Sequence, residues 1–445
     1  MIIPWGEVCP GFETSNQWWS LTVDKKTIII FVACLASTPA GWADNFSENN
    51  TLDSLIEVAL ERNPAIHAAE YKRSASEYQA EFAGWLPDPK LSAAVINLPR
   101  TSLSFDETPM SGVVFGLSQS VPWPGKLSAK ADIASLDSDI RAMDLAARKN
   151  STVRLVTHYY YDYSHWTLVG TVLTKSMQLV ENIIKVAHIR YSNGDGSLQN
   201  VLRSETSSAR IENRVLMARQ KAMSALVQLG QLTDNPETID DTLAPVLPPI
   251  PQKYVEMPSE LSNPILAKVS IGSAVAKRKV DLAKSGYWPN LTVGVDYRIR
   301  KNIPMDAVSG EDFLSFKIGL NLPAWFFARQ KNQTSAARQS YLAAQADEHA
   351  IINSVERQVA DIVLALQSLR ERAEQYELAI LPQAQAASEA AQVAYEVGQV
   401  DFNGFLAAQL DVMNVELERL ELLKQYHQQT AALSELAPDA QEVTR

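Results

Sequence analysis

The chain has 445 residues, 46% of them apolar, and a formal net charge of -11. That length allows two or three domains with a substantial core, and the composition by itself does not demand a membrane. An acidic chain with no concentrated basic run excludes a phosphate-binding surface, so nucleic acid is not an expected partner.

The first feature in chain order is a leader. Lys25 and Lys26 precede an apolar run over 27–36 and then small residues, the pattern of an export signal and too short for a membrane span. It occupies residues 1–43, with cleavage expected after Ala43 and Ala40 as the rival; the long, partly acidic lead-in puts the expected true start nearer Val23. Cys9 and Cys34 both fall inside it, so the mature chain is expected to lack disulfides and thiolate metal sites. Lipidation at Cys34 is the less favoured fate, because Phe31 suits such a site poorly and the apolar run before it is short. No later run is long and apolar enough for a transmembrane helix, so any passage through a membrane must use strands.

Apolar spacing then predicts a helix over 52–85, strands over 90–97 and 113–121, a very long helix over 126–191 and a returning helix over 198–232. A connection over 233–261 follows, carrying Pro236, Pro245, Pro248, Pro249, Pro251 and Pro258, and is expected to run across the outside of the helices. The same order then returns: a helix over 264–287, strands over 291–300 and 313–322, a long helix over 329–395 and a last helix over 402–436. Pro382 should kink the second long helix without ending it, since its ring removes one donor and crowds the preceding turn.

The punctuation repeats with the elements. Asn63-Pro64 recurs as Asn263-Pro264, Trp85-Leu86-Pro87 as Tyr287-Trp288-Pro289, Val121-Pro122 as Leu322-Pro323, and YSNGDGSLQNVL from Tyr191 as YEVGQVDFNGFL from Tyr395. A period of about 200 residues is far beyond a solenoid unit and marks a duplicated domain. The two copies occupy 44–232 and 262–436, with a tail over 437–445. Each long helix would span roughly 100 Å. Two shorter helices laid end to end match that length, so stacked halves are expected to pack along each long one. Ile133, Leu136, Ile140, Met143 and Ala147 keep a three-four spacing, as do Leu406, Leu410, Met413, Leu417 and Leu420, which predicts coiled-coil seams.

The strands alternate. Leu291, Val293, Val295, Tyr297 and Ile299 oppose Thr292, Gly294, Asp296, Arg298 and Arg300; Leu314, Phe316, Ile318, Leu320 and Leu322 oppose Phe313, Ser315, Lys317, Gly319 and Asn321. Strands of about ten residues with one apolar face can cross a bilayer on a tilt. A soluble sandwich also alternates. What separates the two readings is that all four strands meet helices at Trp-bearing junctions, GWLPDP, VPWPGK, GYWPN and LPAWFF. Trp85, Trp123, Trp288 and Trp325 are therefore expected to form an interfacial girdle. Asp296, Arg298, Arg300 and Lys317 would line a watery lumen. Four strands cannot close a barrel, and open edges in hydrocarbon leave backbone groups unpaired, so several chains must assemble. Two, three or four copies all satisfy this physics.

An enzyme finds little support. His158 and His165 lie seven residues apart on a long helix without a carboxylate-histidine motif, and packing explains them better than metal ligation. No catalytic, metal or cofactor site is expected.

From Thr51 to Leu436 the chain resembles the TolC-like outer membrane efflux protein family, through the duplication, PDPKL…NLP…SVPWPGK and YEVGQVDFNGFLAAQLD. The resemblance implies a mainly α fold with transmembrane β-structure: a homotrimer whose twelve-stranded β-barrel sits in outer membrane lipid and continues as an α-helical coiled-coil barrel across the periplasm. It also implies a passive exit duct of a tripartite pump. A periplasmic adaptor would dock on the helix tips, here Tyr191, Gly194, Asp195, Gly196 and Leu198 with Tyr395, Gly398, Asp401 and Phe402. An inner-membrane transporter, of the resistance-nodulation-division type, would supply the energy. PDPKL…NLP and VPWPGK are most similar to members serving heavy-metal pumps. Family members often narrow the entrance with acidic residues after the second tip, whereas Gly404 and Ala407 stand here; Asp401 or Glu205 would have to substitute. A duct for a protein-secreting transporter would read the same way, and a periplasmic scaffold without a barrel is the reading from another class.

Overall fold

The computed structural model describes residues 52–234, 243–251, 253, 255–258, 261–304, 307 and 310–438. The leader over 1–43, the middle of the connection and the tail beyond 438 lie outside the described residues. The described chain builds helices α1 (Leu52–Arg62), α2 (Pro64–Ala83), α3 (Lys126–Ser192), α4 (Leu198–Leu232), α5 (Pro264–Ser285), α6 (Lys331–Gln375), α7 (Leu381–Glu396) and α8 (Phe402–Leu436). Strands β1 (Lys90–Ile96), β2 (Gly112–Val121), β3 (Asn290–Arg300) and β4 (Phe313–Asn321) form one antiparallel sheet in the order β1-β2-β3-β4.

The helix expected over 52–85 is broken at Asn63. Pro64 cannot donate to the preceding turn, and Asn63, in extended backbone, starts a new helix by accepting the Ala65 N–H at 2.9 Å. The Asn63 amide does a second job, donating to the Leu232 carbonyl at the end of α4 at 3.0 Å. Asn263 repeats both bonds, to the Ile265 N–H at 2.7 Å and to the Leu436 carbonyl at 2.8 Å. Each buried asparagine thus splices a returning helix to the next entering one, capping one helix and satisfying the open carbonyl end of the other. Here the stacked halves acquire a chemical reason: α4 continues into α2, and α8 into α5.

These composite rods lie along the long helices. The first part of α3 is flanked by α2 and α5, with Lys149 on Glu70 at 3.4 Å and Lys268 on Asp144 at 2.6 Å. Its second part is flanked by α4 and α8, where Val169, Leu173, Val180 and Ile183 pack with Val201, Ile211, Leu406, Met413 and Leu420. The later seam is the buried one. Ile133, Leu136, Ile140, Met143 and Ala147 are only half-buried, because no described helix covers their far side.

The second long helix is not regular like α3. A π turn at Phe326–Gln330 opens it, and a second at Tyr376–Ile380 joins α6 to α7 immediately before Pro382. The path continues through the proline, and the strain that a Pro inside a helix creates is absorbed by a widened turn.

The connection crosses α3 and α8. Tyr163 donates to the Leu243 carbonyl at 2.9 Å, Val246 N–H to Ser164 Oγ at 3.2 Å, and His427 Nε2 to the Pro248 carbonyl at 2.8 Å. Leu243 and Val255 of this connection are buried, each in a separate core cluster.

Candidate functional site

The sheet has the chemistry of two media. Pairing registers put Leu91, Leu117 and Val295 in one row and Phe115, Tyr297 and Leu314 in another, so, with Ala94, Ile96, Val114 and Phe313 on the other side, a single face carries most of the apolar side chains of all four strands. Nothing described covers that face: Leu91, Phe115, Leu117, Tyr297, Phe316, Ile318 and Leu320 are all exposed. The opposite face holds Ser92, Ser118, Thr292, Asp296, Arg298, Arg300, Ser315 and Lys317. There Asp296 pairs with Lys317 across the strands. A Cβ on Gly116 would come within 2.6 Å of Asp296 Oδ1 and 2.7 Å of Ser92 Oγ, so any larger residue there would have to push this row of polar groups aside. Arg300 lies over the Phe313 ring at 4.5 Å. The four residues read as lumen-facing therefore share one face; Asp296 and Lys317 interact, while Arg298 and Arg300 lie further along β3.

At the helix–strand junctions the tryptophans divide into two pairs. Trp123 and Trp288 stack with centroids 4.9 Å apart and planes within 8°. Lys126 Nζ donates to the Trp288 carbonyl at 2.7 Å and to Asn290 Oδ1 at 2.8 Å, binding the exit of β2 to the entry of β3. Trp85 and Trp325, beside the outer strands β1 and β4, are exposed. Sequence reasoning missed Lys126 and Asn290, although both sit inside the punctuating motifs VPWPGK and GYWPN.

At the other end of the long helices the two reversals are built alike. Gly194 (φ 83°) donates to the Tyr191 carbonyl and Asp195 to the Arg190 carbonyl; Gly398 (φ 79°) donates to the Tyr395 carbonyl and Gln399 to the Ala394 carbonyl. Each is a Schellman turn that needs a left-handed residue, which glycine supplies without a Cβ clash. Ser197 then caps α4 and Asp401 caps α8, the latter accepting the Gly404 N–H at 2.9 Å. Tyr395 stacks on Phe405 at 5.0 Å and meets the Phe402 edge at 6.0 Å. Arg190 lies 4.6 Å over the same Tyr395 ring and so links the two turns; it escaped sequence reading because its partner is 205 residues away. Tyr191 and Leu198 remain exposed. Glu205 bonds His188 at 3.2 Å.

The histidines singled out in α3 face α8. His165 is buried with Nε2 3.2 Å from Glu421, and burial, aided by the Lys424 charge, lowers its pKa to about 4 despite the carboxylate. Burial works against the Glu421 carboxylate too, but Lys424 at 2.9 Å and Gln425 at 2.8 Å outweigh it and hold its pKa low. His158 sits 3.5 Å from Asp162. These are packing and polar contacts of imidazoles within the helical layer. Among the described residues no group of three or more His, Cys, Asp or Glu is placed to hold a metal.

A layer of long helices carrying a two-faced, open-edged antiparallel sheet defines the class: the subunit of an outer membrane channel with a helical extension. The chain belongs to the outer membrane efflux protein family, whose pattern matches residues 55–235 and 259–437. It is 25% identical to the outer membrane protein TolC of Vibrio cholerae over 404 residues, covering 84% of this chain and 86% of that one. The fold is similar to that of the outer-membrane channel OprN (TM-score 0.75, 15% identity, 87% of this chain and 89% of that chain). It is also similar to VceC of Vibrio cholerae (TM-score 0.74, 18% identity, 86% and 95%). The protein is thus an efflux channel component of the outer membrane that extends into the periplasm, and not an enzyme.

Proposed function

We propose that three copies of this chain close into one passive exit duct of a tripartite pump, fed by an inner-membrane transporter through a periplasmic adaptor. The observation that carries this reading is the sheet: both of its edges are open beside a largely apolar face, and an open edge in hydrocarbon costs several kcal/mol per unpaired backbone group. Twelve strands from three copies remove every edge. The apolar face then meets lipid, and Asp296, Arg298, Arg300 and Lys317 face water in the lumen. Trp85, Trp123, Trp288 and Trp325 form the girdle where helix gives way to strand.

The adaptor docks at the turns that hold Tyr191, Gly194, Asp195, Gly196 and Leu198 and Tyr395, Gly398, Asp401 and Phe402. Support comes from their build: two rigid turns, tied together by Arg190 and Tyr395, present exposed Tyr191 and Leu198. The substrates are heavy-metal cations handled by a resistance-nodulation-division transporter, a reading that rests on the PDPKL…NLP and VPWPGK stretches. Mass measurement in detergent should give a trimer, and planar bilayers should show discrete conductance steps. A detergent-free soluble monomer would end the proposal. Co-purification with the native transporter, and increased metal sensitivity of a strain lacking this chain, test the partner and the cargo.

A further inference from the structure

The sheet contains its own template for the contact between copies. The registers β1–β2 and β3–β4 superpose on one another: Lys90 pairs with Ser118 as Thr292 pairs with Gly319, and Ala93 with Phe115 as Val295 with Phe316. The recurring Trp85-Leu86-Pro87 and Tyr287-Trp288-Pro289, and Val121-Pro122 and Leu322-Pro323, fix which residues of the two repeats correspond, and both registers agree with that correspondence. Ser118 corresponds to Gly319 and Lys90 to Thr292, so Leu117 corresponds to Ile318 and Ala93 to Val295.

Between the repeats, β2 pairs with β3 through Ser120↔Thr292, Leu117↔Val295 and Phe115↔Tyr297. Carried to the next boundary, the same pairing sets Asn321 of one copy opposite Lys90 of another, Ile318 opposite Ala93 and Phe316 opposite Val95. We infer that β4 of each copy pairs with β1 of the next in this register, the one the internal repeat uses between β2 and β3. The inference rests on the assembly proposed above and specifies its seam.

Independent features support it. The transferred register sets apolar-face residues opposite apolar-face residues at every pair, whereas a slip of one residue would turn one strand's lipid side to water. Leu91, Phe316 and Ile318, on the free edge strands, are 79%, 81% and 79% exposed, while Val293 on an inner strand is 38% exposed. The outer rows are thus the ones still lacking a neighbour. Charge agrees as well. Asp88 takes the place of Asn290 and is exposed, and the exposed Arg329 is the first cation after β4, as Lys126 is after β2. The positions equivalent to the stacked Trp123 and Trp288 are Ala324 and Leu86, so in this register a contact between Asp88 and Arg329 would stand near the place the indole stack holds between β2 and β3.

Cysteine cross-linking tests the seam, because directly opposed residues lie about 4.5–5.5 Å apart at Cα, within disulfide reach. Ile318→Cys and Ala93→Cys are combined in one chain with Cys9 and Cys34 replaced by Ala, and the mass of the assembly is measured on the same sample. The expected result is a covalent trimer on a non-reducing gel, lost when either cysteine is reverted. A trimer by mass with no cross-link, or one that cross-links better with Val95→Cys in place of Ala93→Cys, would overturn the register and leave the assembly standing. Dimers from Ile318→Cys alone would show β4 meeting β4 and overturn the head-to-tail seam. A monomer by mass would overturn both the seam and the assembly.

Discussion

The helices and the sheet of this chain solve opposite problems with the same residue types. Val156 and Val359 are fully shielded and Leu173 is 1% exposed, each in a packed helical cluster, whereas none of the large apolar side chains of the four strands is buried. The helical layer carries its own core and is built for water. The sheet keeps its apolar surface outside and polar groups within, the inverse of a soluble sandwich, and is stable only where a lipid covers that face.

Inverting one apolar position of the sheet should break this contrast most strongly. Ile318→Lys places a charge on the lipid face and is expected to cost about 2–4 kcal/mol near the bilayer midplane, read as loss of membrane-inserted oligomer. Lys317→Ala, one residue away on the other face, should leave assembly unchanged; equal damage from both would mean the two faces are not in different media.

The helical layer should respond instead to pH. His165 is held near pKa 4 in the fold against about 6.5 when unfolded, so the unfolded chain binds the extra proton. The stability of the neutral, buried imidazole is complete above pH 6.5 and is lost as pH falls toward 4, about 2 kcal/mol by pH 5. Glu421, whose folded pKa is lowered, adds a loss in the same direction below its ordinary range. Urea unfolding at pH 7.5 and 5 should show the drop, and His165→Leu should remove most of it; an unchanged slope would place His165 in water.

Next comes the splice. Asn63→Ala and Asn263→Ala each remove a cap and a bond to a helix end, for about 2 kcal/mol apiece, and the two should act alike because their contacts are the same. A cost for only one would show that the repeats are spliced differently. The smallest effect should come from Gly194→Ala. Nothing lies within 4 Å of the added Cβ, so only the left-handed backbone is charged, about 1 kcal/mol, and hydrogen exchange near the turn should report it.

The sequence by itself determined the layout. Period, punctuation and apolar spacing are local, and they revealed the duplication, the strand faces, the long α3 and the glycine turns, since each depends on residues a few positions apart. The break at Asn63 was also written there, as the Asn-Pro pair, but the helical pattern on both sides hid it. Only the tertiary structure decided the rest: that Asn63 reaches Leu232, that Arg190 covers Tyr395, and that Lys126 holds Trp288. Contacts of this kind join residues more than a hundred positions apart, and no periodicity records them. They exist because stacked helices must satisfy each other's open ends, and because strands that share an oily face must first agree on register.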